Sequence, residues 1–454
     1  MRDRVAAFYD LDGEAVSTRQ RLPALDGIRG FAALQIIVYH CVIVSGAYRI
    51  IGYQTLGAGL FGVDIFFVLS GFVLFLPWGA AHLRGAPPPA LKRYYVRRIR
   101  RIVPAYYFML FFLIVFFTPS HIATSAVYSW SGFFAILTHL SFQQAIVMRG
   151  LGGLIGWRAQ PGFGINGVIW TLTFEVSFYL LLPFVYRFFS GSVGKAVRNA
   201  CIAVLIAIGW AWVRFNIDGL STQLFGIALT RHKNTAARDH IQDLMANLLP
   251  TYAAHFAFGM AAAYLFLRLR DQSALIRARW FRASVSLAQV ASIITFVALM
   301  AWTASLRAHD GKIAASAYWY FGREAVAGSV AVLILATALA GQVGQFPFAN
   351  LFMRIMGQVS YGMYLWHVLV ITLVLDYPII AHWPAASKFK FLLLIVLPLS
   401  FLFGTLSYKL VEAPFMRPRT GTTEESLSAV SPRVEVSREM TSEDRQPISH
   451  GTVA

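Results

Sequence analysis

Residues 25–47 read L-D-G-I-R-G-F-A-A-L-Q-I-I-V-Y-H-C-V-I-V-S-G-A, an apolar run carrying Asp26, Arg29 and His40. A helix needs about 20 largely apolar residues to cross a hydrocarbon core about 30 Å thick, and this run is long enough. Working outward from Leu25–Ala47, nine more such runs follow: Gly57–Trp78, Ile102–Thr118, Gly167–Tyr186, Ala196–Val213, Leu248–Leu267, Ala283–Ala304, Ala325–Leu339, Val359–Leu375 and Phe391–Leu410. The whole chain of 454 residues agrees, being 57% hydrophobic and only 13% charged. Soluble domains carry roughly one-quarter charged residues. The net charge of +18 comes from short basic clusters between the apolar runs, so it does not mark a nucleic-acid binder. Cys41 and Cys201 both lie inside apolar runs, which excludes a disulfide scaffold and a cysteine-rich zinc site. The expected fold is therefore all-α, a polytopic membrane helical bundle of about ten transmembrane helices.

A shorter apolar stretch, Gly132–Val147, contains His139, Gln143 and Gln144 and is expected to be a half-inserted or interfacial helix. Lys and Arg concentrate in the loops that an N-in orientation places in the cytoplasm. Residues 84–101 hold seven of them and residues 268–282 hold five, with Arg187, Lys195 and Arg198 in the loop between. Letting Gly132–Val147 cross fully would put both later basic loops outside, so an even count fits better. The first run is longer than a signal h-region and opens with charges, so it reads as an uncleaved anchor. The expected organisation is a cytoplasmic segment 1–24, a transmembrane domain 25–411 and a cytoplasmic tail 412–454. That tail is Ser/Thr/Glu/Arg/Pro-rich and is expected to be disordered.

Ionisable residues inside a span are costly and point to function. Here they are Arg29, His40, Asp64, Glu175, His255 and His367. Arg29 and His40 are eleven residues apart, which is within about 20° of three full turns and a rise of roughly 16 Å. They share one helix face. Counting about 1.5 Å per residue from the span ends places His40 about 20 Å and His367 about 13 Å above the cytoplasmic face, with Asp64 and Glu175 near 18–20 Å. Convergence of the two histidines and two carboxylates on one proton-handling site is expected. The plainer reading makes Arg29 an interfacial anchor and His40 a hydrogen-bonded packing residue.

From Gly357 the chain reads G-Q-V-S-Y-G-M-Y-L-W-H, setting Ser360, Tyr364 and His367 on one polar stripe. W-T-L-T-F-E-V-S-F-Y from Trp170 makes Glu175 and Tyr179 neighbours one turn apart. A bare Glu175 would be very costly in hydrocarbon, so a partner such as one of the histidines is expected. The basic run K-R-Y-Y-V-R-R-I-R-R-I-V-P-A-Y from Lys92 contains Arg93, Arg97, Arg98, Arg100 and Arg101 and leads into the third span. Its plainer reading is a positive-inside cluster against anionic headgroups; the sharper one is a landing site for a phosphorylated donor, because guanidinium forks match phosphate oxygens. No Walker loop, G-x-S-x-G, H-E-x-x-H, dinucleotide fingerprint or H-x-x-x-x-D pattern occurs in a setting that would carry its chemistry.

These segments together resemble acyltransferase family 3, integral membrane O-acyltransferases of bacterial surface glycans and related acceptors. The matching pieces, in family order, are L-D-G-I-R-G-F-A-A-L from Leu25 with the Arg29/His40 pair, G-V-D-I-F-F-V-L-S-G-F from Gly62 through Asp64 and Ser70, and R-R-I-R-R-I-V-P from Arg97. I-W-T-L-T-F-E-V-S-F-Y-L-L-L-P around Glu175, V-S-Y-G-M-Y-L-W-H ending at His367 and S-Y-K-L-V-E-A-P through Glu412 and Pro414 complete the set. The family's usual W-S-L-S-x-E stands here as W-T-L-T-F-E, which keeps both hydroxyls. Coverage runs from about residue 22 to 417.

The resemblance implies transfer of an acyl group, usually acetyl, from cytosolic acyl-CoA to a hydroxyl of a sugar-containing acceptor such as a surface polysaccharide or glycolipid. It implies a multi-pass protein of the bacterial inner membrane with both termini cytoplasmic. No tightly bound cofactor and no metal are expected; acyl-CoA is a cosubstrate. Some relatives carry a fused periplasmic SGNH-type hydrolase domain, which this sequence lacks, so a separate periplasmic partner for the transfer is an expectation. The expected catalytic set is His40, Arg29, Glu175, Asp64 and His367. Arg97, Arg98, Arg101, Tyr364, Tyr179, Trp170 and Ser70 are expected to bind donor or substrate. In this scheme the arginines hold the CoA phosphates and the pantetheine arm rises past Arg29 to His40. That histidine acts as general base or carries the acyl group, Glu175 or Asp64 orients it, and His367 and Tyr364 donate to the oxyanion. The outer loops Pro119–Asn166 and Arg214–Asn247 are expected to shape the acceptor site, with His121, His232 and His240 as solvated surface histidines. The rival readings are a proton-coupled secondary transporter or flippase using the same buried residues and a structural partner that recruits a separate enzyme.

Overall fold

Ten helices long and apolar enough to cross a membrane follow one another in the computed structural model. They are α1 (Pro23–Ser45), α2 (Phe61–Leu83), α3 (Leu91–Phe116), α4 (Trp170–Phe189), α5 (Val193–Phe215), α6 (Leu249–Leu269), α7 (Arg279–Leu306), α8 (Tyr320–Leu339), α9 (Leu351–Leu375) and α10 (Ala385–Met416). The structure describes residues 2–9, 11, 22–117, 130–147, 166–225, 229, 236–309 and 318–416, and no strand occurs among them. His121, His232, most of Pro119–Asn166 and the tail beyond Met416 lie outside the described residues. The protein is a multi-pass helical membrane protein, as the apolar runs predict.

Local chemistry sets where these helices begin and end. Pro23 opens α1 at a position where its missing N–H costs nothing, and Gly46 ends it in the left-handed region at φ +78°. Asn350 caps α9, its side chain accepting from the Met353 amide at 3.0 Å. That cap starts α9 eight residues before the expected Val359 and brings Arg354 and Gln358 into the helix. α8 likewise begins at Tyr320 rather than Ala325, so Arg323 and Glu324 fall inside it. The basic stretch before the third span is helix as well, because nothing between Leu91 and Val103 breaks one. Within it Tyr94 packs on Trp78 at 5.5 Å and donates to the Tyr179 carbonyl at 3.2 Å.

Gly132–Val147 folds as a helix over Trp130–Leu140, a turn, and one further turn over Gln144–Ile146. Eleven residues rise only about 16 Å, too short to cross. Tyr106 and Tyr107 of α3 donate to the carbonyls of His139 and Leu140 at 3.0 and 2.7 Å, and Gln144 donates to the Ile169 carbonyl at 2.8 Å. The segment is thus tied to α3 and to the head of α4.

Two glycine crossings position everything that follows. In the first, α1 and α9 run parallel. A Cβ on Gly357 would sit 1.8 Å from the Asp26 carbonyl oxygen, and one on Gly30 would sit 2.7 Å from the Gly357 amide nitrogen. In the second, α2 and α6 run parallel; a Cβ on Gly259 would lie 2.1 Å from the Val68 oxygen, and one on Gly71 would lie 2.4 Å from the Phe256 oxygen. Membrane helices lack a hydrophobic force between them and associate through such close packing of small residues. The helices in these crossings, with α8, form the buried interior, while α5 and α7 present Leu205, Ile206, Leu287 and Ile294 outward.

Candidate active site

His40 and His367 each stand ten residues beyond the glycine at which their helices cross, Gly30 and Gly357. Parallel helices that meet at one point and climb by the same amount, about 15 Å, bring those two positions to one level. The rings meet: His367 Nε2 is 3.3 Å from His40 Nδ1, with ring centroids 5.0 Å apart. The apparent difference in depth between them disappears because α9 starts earlier than its hydropathy suggests. His367 is fully buried and His40 half-buried, so the pair faces the bundle interior.

Backbone carbonyls fix both tautomers, since a carbonyl can only accept. His40 Nδ1 donates to the Ile36 carbonyl at 2.8 Å, and His367 Nδ1 donates to the Tyr364 carbonyl at 2.7 Å. His367 Nε2 therefore carries a lone pair that faces the His40 Nδ1–H. His40 Nε2 is left unprotonated. The same bookkeeping removes two expected oxyanion donors. Tyr364 Oη donates to the Val168 carbonyl and accepts from Thr171 Oγ1 at 2.6 Å, so its proton is already committed. His367 has no second N–H to offer while it is neutral. Both residues position His40 instead. Thr171 is one of the two hydroxyls kept in W-T-L-T-F-E, but the motif alone does not show that its partner is Tyr364.

A second group of expected residues gathers towards the other end of α1. Arg29 is bound to Asp26 at 3.0 Å and lies within electrostatic reach of Arg101, Glu175 and Tyr179. The expected histidine partner of Glu175 is not what the structure contains: the Tyr179 hydroxyl donates to Glu175 Oε1 one turn along the same helix. The Arg98 guanidinium lies over the Tyr179 ring at 6.0 Å, and its buried Nε has no hydrogen-bond partner. Arg97 is exposed on the same helix. Arg101 is also within reach of Glu412, which α10 keeps buried beside Ser407 at 3.3 Å. The basic run and the foot of α1 thus meet in one polar group around Arg29, Arg101 and Glu175.

Asp64 does not join either group, and the reason is helical phase. Gly62 faces α1, where a Cβ would meet the Ala32 carbonyl oxygen at 2.6 Å. Two residues on is about 200° around the helix, so Asp64 points to the opposite side, towards α6. There Asp64 Oδ1 accepts from His255 Nε2 at 2.8 Å and lies 3.6 Å from Arg323 of α8. The expected convergence of two histidines and two carboxylates is replaced by separate clusters on either side of α2. Trp170 belongs with the second, its ring lying 6.1 Å from that of Tyr252, over which the Arg323 guanidinium sits at 3.9 Å. Ser70 is half-buried on α2 and hydrogen-bonds to neither cluster among the described residues. Arg323 and Glu324 escaped the sequence reading because they precede the apolar run of their helix and look like flanking charges. His240 is partly exposed on a helix over Ala236–Ala246, as expected of a surface histidine.

Comparison with known proteins gives the class. The acyltransferase domain of acyltransferase family 3 matches residues 22–406. The chain belongs to that family. It is 39% identical over 61 residues to the O-acetyltransferase OatA of Staphylococcus aureus, covering 13% of this chain and 8% of that protein. It is 42% identical over 53 residues to YrhL of Bacillus subtilis, named as a candidate peptidoglycan O-acetyltransferase, covering 12% of this chain and 7% of that one. A longer match, 22% identical over 409 residues, joins 87% of this chain to 57% of a candidate O-acetyltransferase of Staphylococcus aureus strain COL. The chain therefore spans little more than half the length of even that relative. No solved structure matches it.

Proposed function

We propose that this protein is a membrane O-acyltransferase. It takes an acyl group, acetyl by analogy with the named relatives, from acyl-CoA on the cytoplasmic side. It passes that group to a hydroxyl of a sugar-containing acceptor, such as a surface polysaccharide or glycolipid, at the bacterial inner membrane. Both termini are cytoplasmic in this reading, and a separate periplasmic protein hands on or receives the acylated product. The observation that carries the proposal is the order along α1: Arg29, close to Arg101 and Glu175, at its foot, and His40, with an unprotonated Nε2, about 16 Å above it. That rise is close to the reach of a pantetheine arm.

The proton accounting is simple. His40 Nε2 takes the proton of the acceptor hydroxyl as its oxygen attacks the thioester carbonyl carbon. A C–O bond forms, the C–S bond breaks, and the proton on Nε2 passes to the departing thiolate, giving CoA thiol and an ester. While His40 is an imidazolium, its Nδ1–H remains shared between the Ile36 carbonyl and His367 Nε2, 2.8 and 3.3 Å away. A second imidazole thus does the work that a carboxylate does in hydrolase triads. Arg97, Arg98, Arg101 and Arg29 hold the CoA phosphates through charge-assisted hydrogen bonds, with Tyr179 and Glu175 fixing the guanidiniums.

Given acetyl-CoA and a glycan carrying free hydroxyls, the purified chain should release free CoA thiol. His40→Ala should lower that rate by about 10²–10⁴-fold, the usual worth of a general base. A variant that retained the wild-type rate would remove the core of the proposal. Rapid-quench labelling without acceptor checks the division of labour: no label should remain on the protein, and label lost in His40→Ala would make His40 the acyl carrier instead.

A further inference from the structure

The cluster on the far side of α2 has no part in the transfer just described, yet it is costly to build. Asp64, His255, Arg323 and Glu324 come from α2, α6 and α8, and all are at least nine-tenths buried. His255 Nε2 gives its hydrogen to Asp64 Oδ1 at 2.8 Å, and Arg323 approaches the same oxygen at 3.6 Å. Glu324, next to Arg323 in sequence, lies within electrostatic reach of both Arg323 and Asp64. Three buried acceptor atoms then have no donor: Asp64 Oδ2, His255 Nδ1 and Glu324 Oε2.

A salt bridge kept only for stability should balance its charges and satisfy its polar atoms, because buried ions left without partners are strongly destabilising. This cluster does neither. One guanidinium stands against two carboxyl groups, with the His255 imidazole hydrogen-bonded to one of them. Among the described residues, the charged and titratable groups facing it from the surrounding elements do not change the sum. They are Tyr252, in the turn that opens α6, and Arg214 of α5, which is within reach of Arg323 and is itself offset by Asp243. A bound metal ion is a poor solution: among the described residues, no group of three or more His, Cys, Asp or Glu could hold one. What the set lacks is one positive charge.

We propose that Asp64, His255 and Glu324, held by Arg323, form a proton-binding centre separate from the His40–His367 pair. Added at Glu324 Oε2, the proton makes a neutral acid that can donate, and it brings the net charge of the cluster to zero. Asp64 orients His255 by accepting its Nε2–H, as a carboxylate does for the histidine of a general-base pair. The centre lies in the first turns of α2, α6 and α8, at the outer ends of those helices in the orientation proposed above, and Glu324 is the most exposed of its members at 8%.

Infrared difference spectroscopy on the full-length protein in detergent, titrated over about pH 5–9, tests this directly. The expected result is a protonated-carboxyl C=O band that rises as pH falls, disappears in Glu324→Gln, and moves by a pH unit or more in His255→Gln. It should persist unchanged in His40→Ala. Retained acetyl-CoA binding serves as the check that each variant is folded. Should Glu324→Gln fail that check, Glu324→Asp keeps the charge while altering the geometry, and must shift the same titration. A wild-type protein with no such band overturns the proposal, as do variants that titrate like wild type. Loss of the band in His40→Ala would overturn its separateness. A wild-type protein that shows the band but releases no thiol when given acetyl-CoA and a hydroxyl acceptor would sink the acyltransfer reading alone.

Discussion

The two histidine clusters stand on opposite sides of α2 and are built alike, each above a glycine crossing of two parallel helices, yet their chemistry differs. His40 leans on a second imidazole, has no carboxylate at contact distance among the described residues, and is half-open. His255 is sealed, paired with Asp64, and backed by Arg323. His40 Nδ1 gives its hydrogen to the Ile36 carbonyl, which leaves Nε2 able to take a proton, as a base at the point of acyl transfer must. The lesson is that depth in the bilayer does not define a site. Helical phase turns Asp64 away from α1 and towards α6, so it serves a different task from His40.

The largest effect that would sharpen this comparison comes from the crossings. Gly357→Ala places a Cβ 1.8 Å from the Asp26 carbonyl oxygen and forces α1 and α9 apart. Overpacking of this kind costs about 1–3 kcal/mol, and a displacement near 1 Å between reacting groups can cost on the order of 10²-fold in rate. Gly259→Ala strains the other crossing, 2.1 Å from the Val68 oxygen. It should lower thermal stability by a similar amount while reducing thiol release much less. Equal losses of rate would mean that the two clusters work as one.

A smaller effect is expected at the basic surface. Replacing Arg97 and Arg98 together with alanine removes charge-assisted hydrogen bonds worth about 1.5–3 kcal/mol each. The KM for acetyl-CoA should rise roughly tenfold or more, with kcat changing less. Unchanged affinity, measured by titration of the folded variant, would return these arginines to the role of headgroup contacts. The smallest effect belongs to Tyr364→Phe. As a positioning residue whose proton is spent on the Val168 carbonyl, Tyr364 should cost a few-fold in kcat. An oxyanion donor at that place would cost about 10²–10³-fold, so the size of the loss decides between the two roles.

Most of the architecture could be read from hydropathy, because ten apolar runs of spanning length and the asymmetry of Lys and Arg have few other solutions. The short stretch over Gly132–Val147 was legible too, since its polar residues leave too little apolar length to cross. What misled was the use of hydropathy to set helix ends. α9 begins at an Asn350 cap and α8 at Tyr320, both inside sequence that looks like loop, and those extra turns carry Arg323 and Glu324 and bring His367 level with His40. The Arg29/His40 pair was visible because both lie on one helix with fixed spacing. The partners of Asp64 and Glu175 were not, because a pairing between helices depends on rotation about each axis, which small differences in glycine contact decide. Phase relative to Gly62 and Gly71 holds that information for Asp64, but only once it is known which neighbour each glycine faces.

The central claim is directional: the thioester enters from the cytoplasmic end of α1 and is consumed beside His40. Sealed membrane vesicles of both orientations, each given acetyl-CoA only on the outside, test it most directly. Inverted vesicles, whose cytoplasmic face is outward, should release free CoA at a rate abolished by His40→Ala, and right-side-out vesicles should release none. Release from right-side-out vesicles, or release from inverted ones that survives His40→Ala, would contradict the account.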